Sequence, residues 1–241
     1  IRDRYIPLGY NQPYSSFLTA FAASALLALA TKNFCRSYCN GFGFDAIFRA
    51  SLYIGLLPLV ATAAAPLLVL LPLAVMLFRR TLREVTVAVA GLLLPVLTLC
   101  YVNWGAGGGF LAPVAELGSA FVAGMPLSLF LSTPVQSLVL LGAVFILDLM
   151  ALLFFLSDIH ALGTKPRLIF IFNISVLLLT AAVLCGPAAT PGTVALAAVP
   201  SAVLLPFMFV RIHRAIALPL YLLLLAAAVI STVLQLSLIH I

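Results

Sequence analysis

The sequence predicts an all-α protein, a polytopic transmembrane helix bundle with seven or eight spans in this fragment. Three observations carry that prediction. Charged residues make up 7% of the 241, against the quarter found in soluble domains, while hydrophobic residues make up 65%. Apolar runs recur at the length needed to cross a hydrocarbon core of about 30 Å. Lys and Arg sit between those runs rather than within them. A water-soluble domain of this size has too much surface to cover with so few charges. The net charge of +6 is spread over short inter-run groups, so it marks loop sidedness and not a nucleic-acid surface.

Taken in chain order, the first apolar run is Ser16–Thr31, followed by a basic loop with Lys32 and Arg36. The longest run, Ala50–Phe78, has 29 residues and is interrupted by Pro58, Pro66 and Pro72. As one helix it would reach about 43 Å, so it reads as two short helices, roughly 44–61 and 63–78, packed as a hairpin. Arg49 would then snorkel to the basic surface. A single kinked span is the alternative. The fourth segment covers 84–101. A Gly- and Pro-rich loop, 103–133, follows, with Glu116 its one charge and a middle, 110–125, apolar enough to lie on the membrane or re-enter it. Segments at 134–156, 168–186, 193–210 and 215–235 complete the pattern. Prolines 58, 72, 95, 200, 206 and 219 mark kinks. No internal repeat is evident.

Sidedness follows from counting cations. With the hairpin, Lys32, Arg36, Arg49, Arg79, Arg80, Arg83, Lys165, Arg167, Arg211 and Arg214 share one side, leaving Arg2 and Arg4 on the other. A single long span moves one cation across, so the charge rule hardly separates eight spans from seven. In both arrangements Arg79, Arg80, Arg83, Lys165, Arg167, Arg211 and Arg214 are cytoplasmic anchors, and 103–133 lies outside. Residues 1–235 form a single transmembrane helical domain, expected to lack upstream sequence because it begins with Ile1. Leu236–Ile241 (LSLIHI) resembles a translated sequencing adapter and is set aside, His240 with it.

Asp148 is the most informative residue. It lies in LGAVFILDLMALLFF with no charge within nine residues on either side. A carboxylate there costs about 2.5–3.5 kcal/mol on insertion scales, so it must be protonated, paired or water-lined. It is either a proton- or cation-coupling site or a packing hydrogen bond. Asn173 and Ser175 are its candidate partners across a helix interface, completing the intramembrane polar site. Asp158, His160 and His213 include metal-ligand types, but their spacing fixes no geometry, and no metal or other cofactor is expected. Cys35 and Cys39 share a helical face as C-x-x-x-C with no nearby His; Cys100 and Cys185 read as small packing residues. The run Gly105-Ala106-Gly107-Gly108-Gly109 lacks the phosphate-loop pattern and reads as a flexible turn. GFGFDA at Gly41–Ala46 opens a helix. The Arg83-Glu84 pair reads as a helix cap and anchor. No Lys falls inside a predicted span, and no catalytic residues emerge.

RDRYIPLGY at Arg2–Tyr10, ASLYIGLLPLV at Ala50–Val60, FRRTLREVTVAVAGLLLPVL at Phe78–Leu97 and the later AVPSAVLLPFMF carry a resemblance. With Pro7, Gly55, Pro58, Arg80, Arg83, Glu84, Gly91 and Pro95 in these stretches, the chain resembles an uncharacterised family of multipass bacterial inner-membrane proteins. The resemblance implies the bacterial cytoplasmic (inner) membrane and no established activity. Some members of such families are mislabelled carotene monooxygenase. That chemistry needs several histidines around iron, and only His160 and His213 are present outside the set-aside tail.

Three functions are therefore expected in order: a non-enzymatic component of envelope biogenesis or a transport assembly, a proton- or cation-coupled transporter using Asp148, and an enzyme for a lipid-linked substrate. The last would use Asn103, Trp104 and Glu116. The expected partners are the lipid bilayer and other membrane proteins, and no nucleic acid.

Overall fold

The computed structural model describes residues 12–39, 43–122, 125–133 and 135–239. Among them the fold is all-α, with no strand. Ten α-helices occur in order: α1 Gln12–Cys39, α2 Phe44–Val60, α3 Leu70–Leu77, α4 Leu82–Gly105, α5 Ala112–Val122, α6 Ser128–Ser132, α7 Val135–Asp158, α8 Thr164–Leu184, α9 Ala198–Arg211 and α10 Arg214–Ile239. Two 3₁₀ segments, Thr62–Val69 and Pro191–Ala197, lead directly into α3 and α9. Five stretches are long and apolar enough to cross a membrane, by length and composition: Phe17–Cys39, Leu82–Gly105, Ser137–Asp158, Thr164–Leu184 and Pro191–Arg211. Large apolar side chains such as Met76, Leu131 and Val210 stand exposed on the flanks, where water would be a poor solvent.

The long run divides near its middle. Ala61 is extended (φ −139°, ψ 104°), ending α2, and the chain returns as the 3₁₀ segment and α3. Pro66 lacks an N–H, so an α-helical ladder cannot pass through it intact, and the return opens in the tighter 3₁₀ form. The other return is built alike: Thr190 is extended (φ −122°, ψ 161°) before Pro191. The two returns also share Pro-x-x-Val-Leu-Leu-Pro, at 66–72 and 200–206. The likeness is confined to these returns, since the two halves pack differently.

In the first half, α2 lies between α1 and α4. The α2–α4 approach is set by two glycines. A Cβ on Gly55 would stand 2.5 Å from Leu92 O, and one on Gly91 would stand 2.8 Å from Phe48 O and from Ser51 Oγ. Small residues let membrane helices meet backbone to backbone. In the second half, α9 packs on α7 and α8. The main core gathers Leu27, Ile54, Leu57, Leu67, Phe172 and Val176, joining α8 to the first half.

One end of the bundle carries the basic residues. Phe78 stacks on Tyr38 (4.7 Å) and tilts against Phe172 (5.3 Å), which meets Phe34 edge-on (5.7 Å). Arg80, one of the expected anchors, is largely buried in this end. Its guanidinium donates to Ser37 Oγ and stands 3.4 Å from Glu84, tying α1 to the start of α4. Burial lowers the Arg80 pKa from its ordinary range, and the Glu84 charge opposes that. Glu84 also accepts from the Thr81 backbone N–H at 2.9 Å, so its expected capping role is met, while Arg83 stays exposed. Arg79 takes φ 50° at the end of α3, where its N–H and that of Arg80 close on Met76 O and Val75 O. Lys165 and Arg167 are exposed at the start of α8, and α10 begins at Arg214. Arg49 pairs with Asp45 at 2.9 Å on an exposed face.

Three expectations are corrected. The first helix does not stop at Thr31. It runs to Cys39, so Lys32, Cys35, Arg36 and Cys39 are helical and not in a loop, and a lysine does lie within a candidate span. The stretch 103–133 is not a bare loop, because α5 and α6 fall inside it. The glycine run is an ordered turn: Gly107 takes φ +89°, Asn103 Nδ2 donates to Gly109 O at 2.8 Å, and Gly108 N–H donates to Asn103 O. The polar N-terminal stretch with Arg2, Arg4 and Pro7 lies outside the described residues, as do Gly41, Phe42 and His240.

Candidate functional site

Asp148 sits ten residues from the basic end of α7, about 15 Å along the helix axis and so near mid-span. It is 1% exposed. Its partner is neither Asn173 nor Ser175 but Ser201, on α9. Ser201 Oγ stands 2.5 Å from Asp148 Oδ2 and 2.9 Å from Ala197 O. A hydroxyl has one hydrogen to give. The two contacts are hydrogen bonds together only when Asp148 carries a proton, donating to Ser201 while Ser201 donates to Ala197. When the carboxyl is ionised, Ser201 turns to it and the Ala197 carbonyl loses that bond.

Asp148 Oδ1 has no hydrogen-bond partner among the described residues. The Asp148 side chain lines a cleft of about 350 Å³ between α7, α8 and α9, to which Phe130 of α6 also contributes. The remaining lining is apolar apart from Thr180, Cys185 and Ser201. Thr180 Oγ1 donates back to Val176 O or Leu177 O, which leaves its lone pairs to accept. Gly142, with open space where a Cβ would be, widens the α7 wall. An apolar cavity of this size with a few convergent polar groups has the form of a small-ligand site.

Other sequence-predicted residues fall elsewhere. Asn173 is also buried, donating through Nδ2 to Ile169 O at 2.8 Å, but it lines a different groove, against α1. Ser175 donates to Ile171 O at 2.9 Å and takes no part in the cleft. Cys100 is buried as expected, whereas Cys185 is exposed at the cleft mouth. Asp158 is engaged by Arg211 at 2.8 Å, joining the ends of α7 and α9. Among the described residues no three His, Cys, Asp or Glu side chains gather as metal ligands. Asn103 and Glu116 share an open groove of about 490 Å³ beside Thr62, and Trp104 is exposed outside it.

Ser201 was not found from the sequence. It lies 53 residues beyond Asp148 among many serines, and only the rotation of α9 against α7 singles it out. Comparison with family models, with curated proteins and with solved structures finds no match.

Proposed function

We propose that the chain is a non-enzymatic multipass protein of the bacterial cytoplasmic membrane, a carrier in a transport assembly of the envelope, which binds its ligand at Asp148 in exchange for a proton. The observation that supports this reading above a pure scaffold is an oxygen without a partner among the described residues, on Asp148, a side chain that lines an apolar cleft. A carboxyl kept only for packing would have both oxygens satisfied, because an orphan in hydrocarbon is costly. Among the described residues Asp148 is the one acidic or basic residue lining that cleft. A monovalent lipophilic cation is the ligand class that replaces a proton there and leaves the site neutral.

Eight crossings suit this reading. The return Thr62–Leu77 has 16 residues, yet 3₁₀ geometry over its first half extends it to about 28 Å, close to the hydrocarbon thickness. The cation-rich end then faces the cytoplasm by the positive-inside rule, with α5 and α6 outside.

The test is binding of the fluorescent lipophilic cation ethidium to the purified chain in detergent between pH 5 and pH 9. Binding should tighten as the pH rises and Asp148 sheds its proton. Asp148→Asn should remain folded and lose both tight binding and the pH dependence. If the variant binds as the wild type does, the carrier reading fails.

A further inference from the structure

A second groove, of about 560 Å³, runs along α1 where it faces α9, with α8 as its floor. Alanines at 25, 28, 198 and 202 keep the facing walls apart, and the groove follows α1 from Phe21 to Cys35. That is about 21 Å of helix, more than one leaflet's share of a hydrocarbon core of about 30 Å. Ser24 and Thr31 also line it, but their hydroxyls donate back to Phe21 O and Leu27 O within α1, which leaves two further polar features near its basic end. The first is Lys32, exposed within α1 and one of the groove's lining residues. The second is Asn173, 1% exposed on the floor. Its amide nitrogen is committed to Ile169 O and lies against Cys35, but its Oδ1 accepts from no group among the described residues.

We infer that this groove is a binding site for one anionic phospholipid of the surrounding leaflet. An acyl chain fills the alanine-lined trough, the phosphate meets Lys32, and a headgroup hydroxyl donates to Asn173 Oδ1. Charge and shape select this occupant over a partner helix. A lysine at the mouth of a long apolar trough matches a head that is anionic and a body that is a chain, and a packed helix would leave Lys32 and Asn173 Oδ1 both unanswered. The acceptor on the floor also asks for a donor, which a phosphatidylglycerol head provides and a phosphatidylcholine head does not.

Native mass spectrometry of the full chain, released from detergent after titration with phosphatidylglycerol or phosphatidylcholine of the same acyl chains, tests the site. The wild type should retain phosphatidylglycerol at least five-fold more than phosphatidylcholine. Lys32→Gln, at an exposed position, should bring the two lipids level, and Asn173→Leu should lower phosphatidylglycerol alone. Lys165→Gln, outside the groove, should preserve the preference. Equal retention of both lipids by the wild type, or a preference that survives Lys32→Gln, would overturn the assignment. So would an equal loss in Lys165→Gln, which would reduce the effect to general surface charge. None of these readings depends on Asp148 or on ethidium.

Discussion

Alanine at Gly55 adds one methyl group where α2 crosses α4, and its effect follows from the crossing distance. The new Cβ would stand 2.5 Å from the Leu92 carbonyl oxygen, and its next contacts are also backbone atoms of Leu92. Ordinary carbon–oxygen approaches are about 3.3–3.6 Å, so the helices must part by roughly 0.8–1 Å. No flexible side chain is there to yield. Forcing a methyl into such a contact costs about 1–3 kcal/mol. Against this, alanine is better than glycine in a helix by about 0.5–1 kcal/mol. The net expectation is a destabilisation of up to about 2.5 kcal/mol and centred near about 1 kcal/mol, or roughly 2–4 °C at that centre in a chain of this length. Gly118, in α5, is the internal control, since nothing lies within 4 Å of its added Cβ. There only the helix term remains, and Gly118→Ala should gain about 0.5–1 kcal/mol. Thermal unfolding in one detergent, in a background with Cys35, Cys39 and Cys185 replaced by serine so that a thiol-reactive fluorophore reads the emergence of buried Cys100 on α4, compares the two. The signs should be opposite. If both variants shift the same way, the close α2–α4 contact is not what holds this half together.

Four further outcomes follow from the same geometry. Ser201→Ala removes the partner of Asp148 and should cost about 1–3 kcal/mol by thermal unfolding, with Ser201→Thr retaining most of it; an unchanged midpoint for Ala would deny the pair a structural role. Arg80→Gln leaves Glu84 and Ser37 without their buried partner and should lose about 3 kcal/mol, visible as earlier unfolding and faster hydrogen exchange at the end of α1. Arg79→Gly should raise stability by about 1 kcal/mol, because glycine occupies the left-handed region without strain; a loss there would mean the side chain contributes more than the backbone conformation costs. Asp158→Asn, at a partly exposed pair, should change the midpoint by less than about 1 kcal/mol, and a larger drop would show that the α7–α9 end contact is a main support.

The helices that the sequence located well are those bounded by cations or prolines. The segment expected at 134–156 is Val135–Asp158, and that expected at 168–186 is Thr164–Leu184. Hydropathy sets both, because a helix in hydrocarbon persists while its side chains remain apolar. The same rule failed at α1. Its final turns carry Lys32, Asn33 and Arg36, yet the helix continues to Cys39 because Phe34, buried against Phe172, and Ser37, held by Arg80, anchor those turns from the inner face. At 103–133 the apolar middle, 110–125, was legible, but its folding as α5 against α4 was not.

Composition and charge placement alone determined that this chain is helical and has stretches suited to hydrocarbon, since a run of apolar residues satisfies its backbone only by coiling on itself. The isolation of Asp148 among apolar neighbours was equally plain in one dimension. Which hydroxyl meets it was decided by tertiary structure, through the rotation of α9 that turns Ser201 toward α7 and Val199 toward α1. The same holds for Asn173, which shares no cleft with Asp148. Sequence spacing fixes where a residue lies along its own helix, but its neighbours across an interface depend on how each helix is turned about its axis.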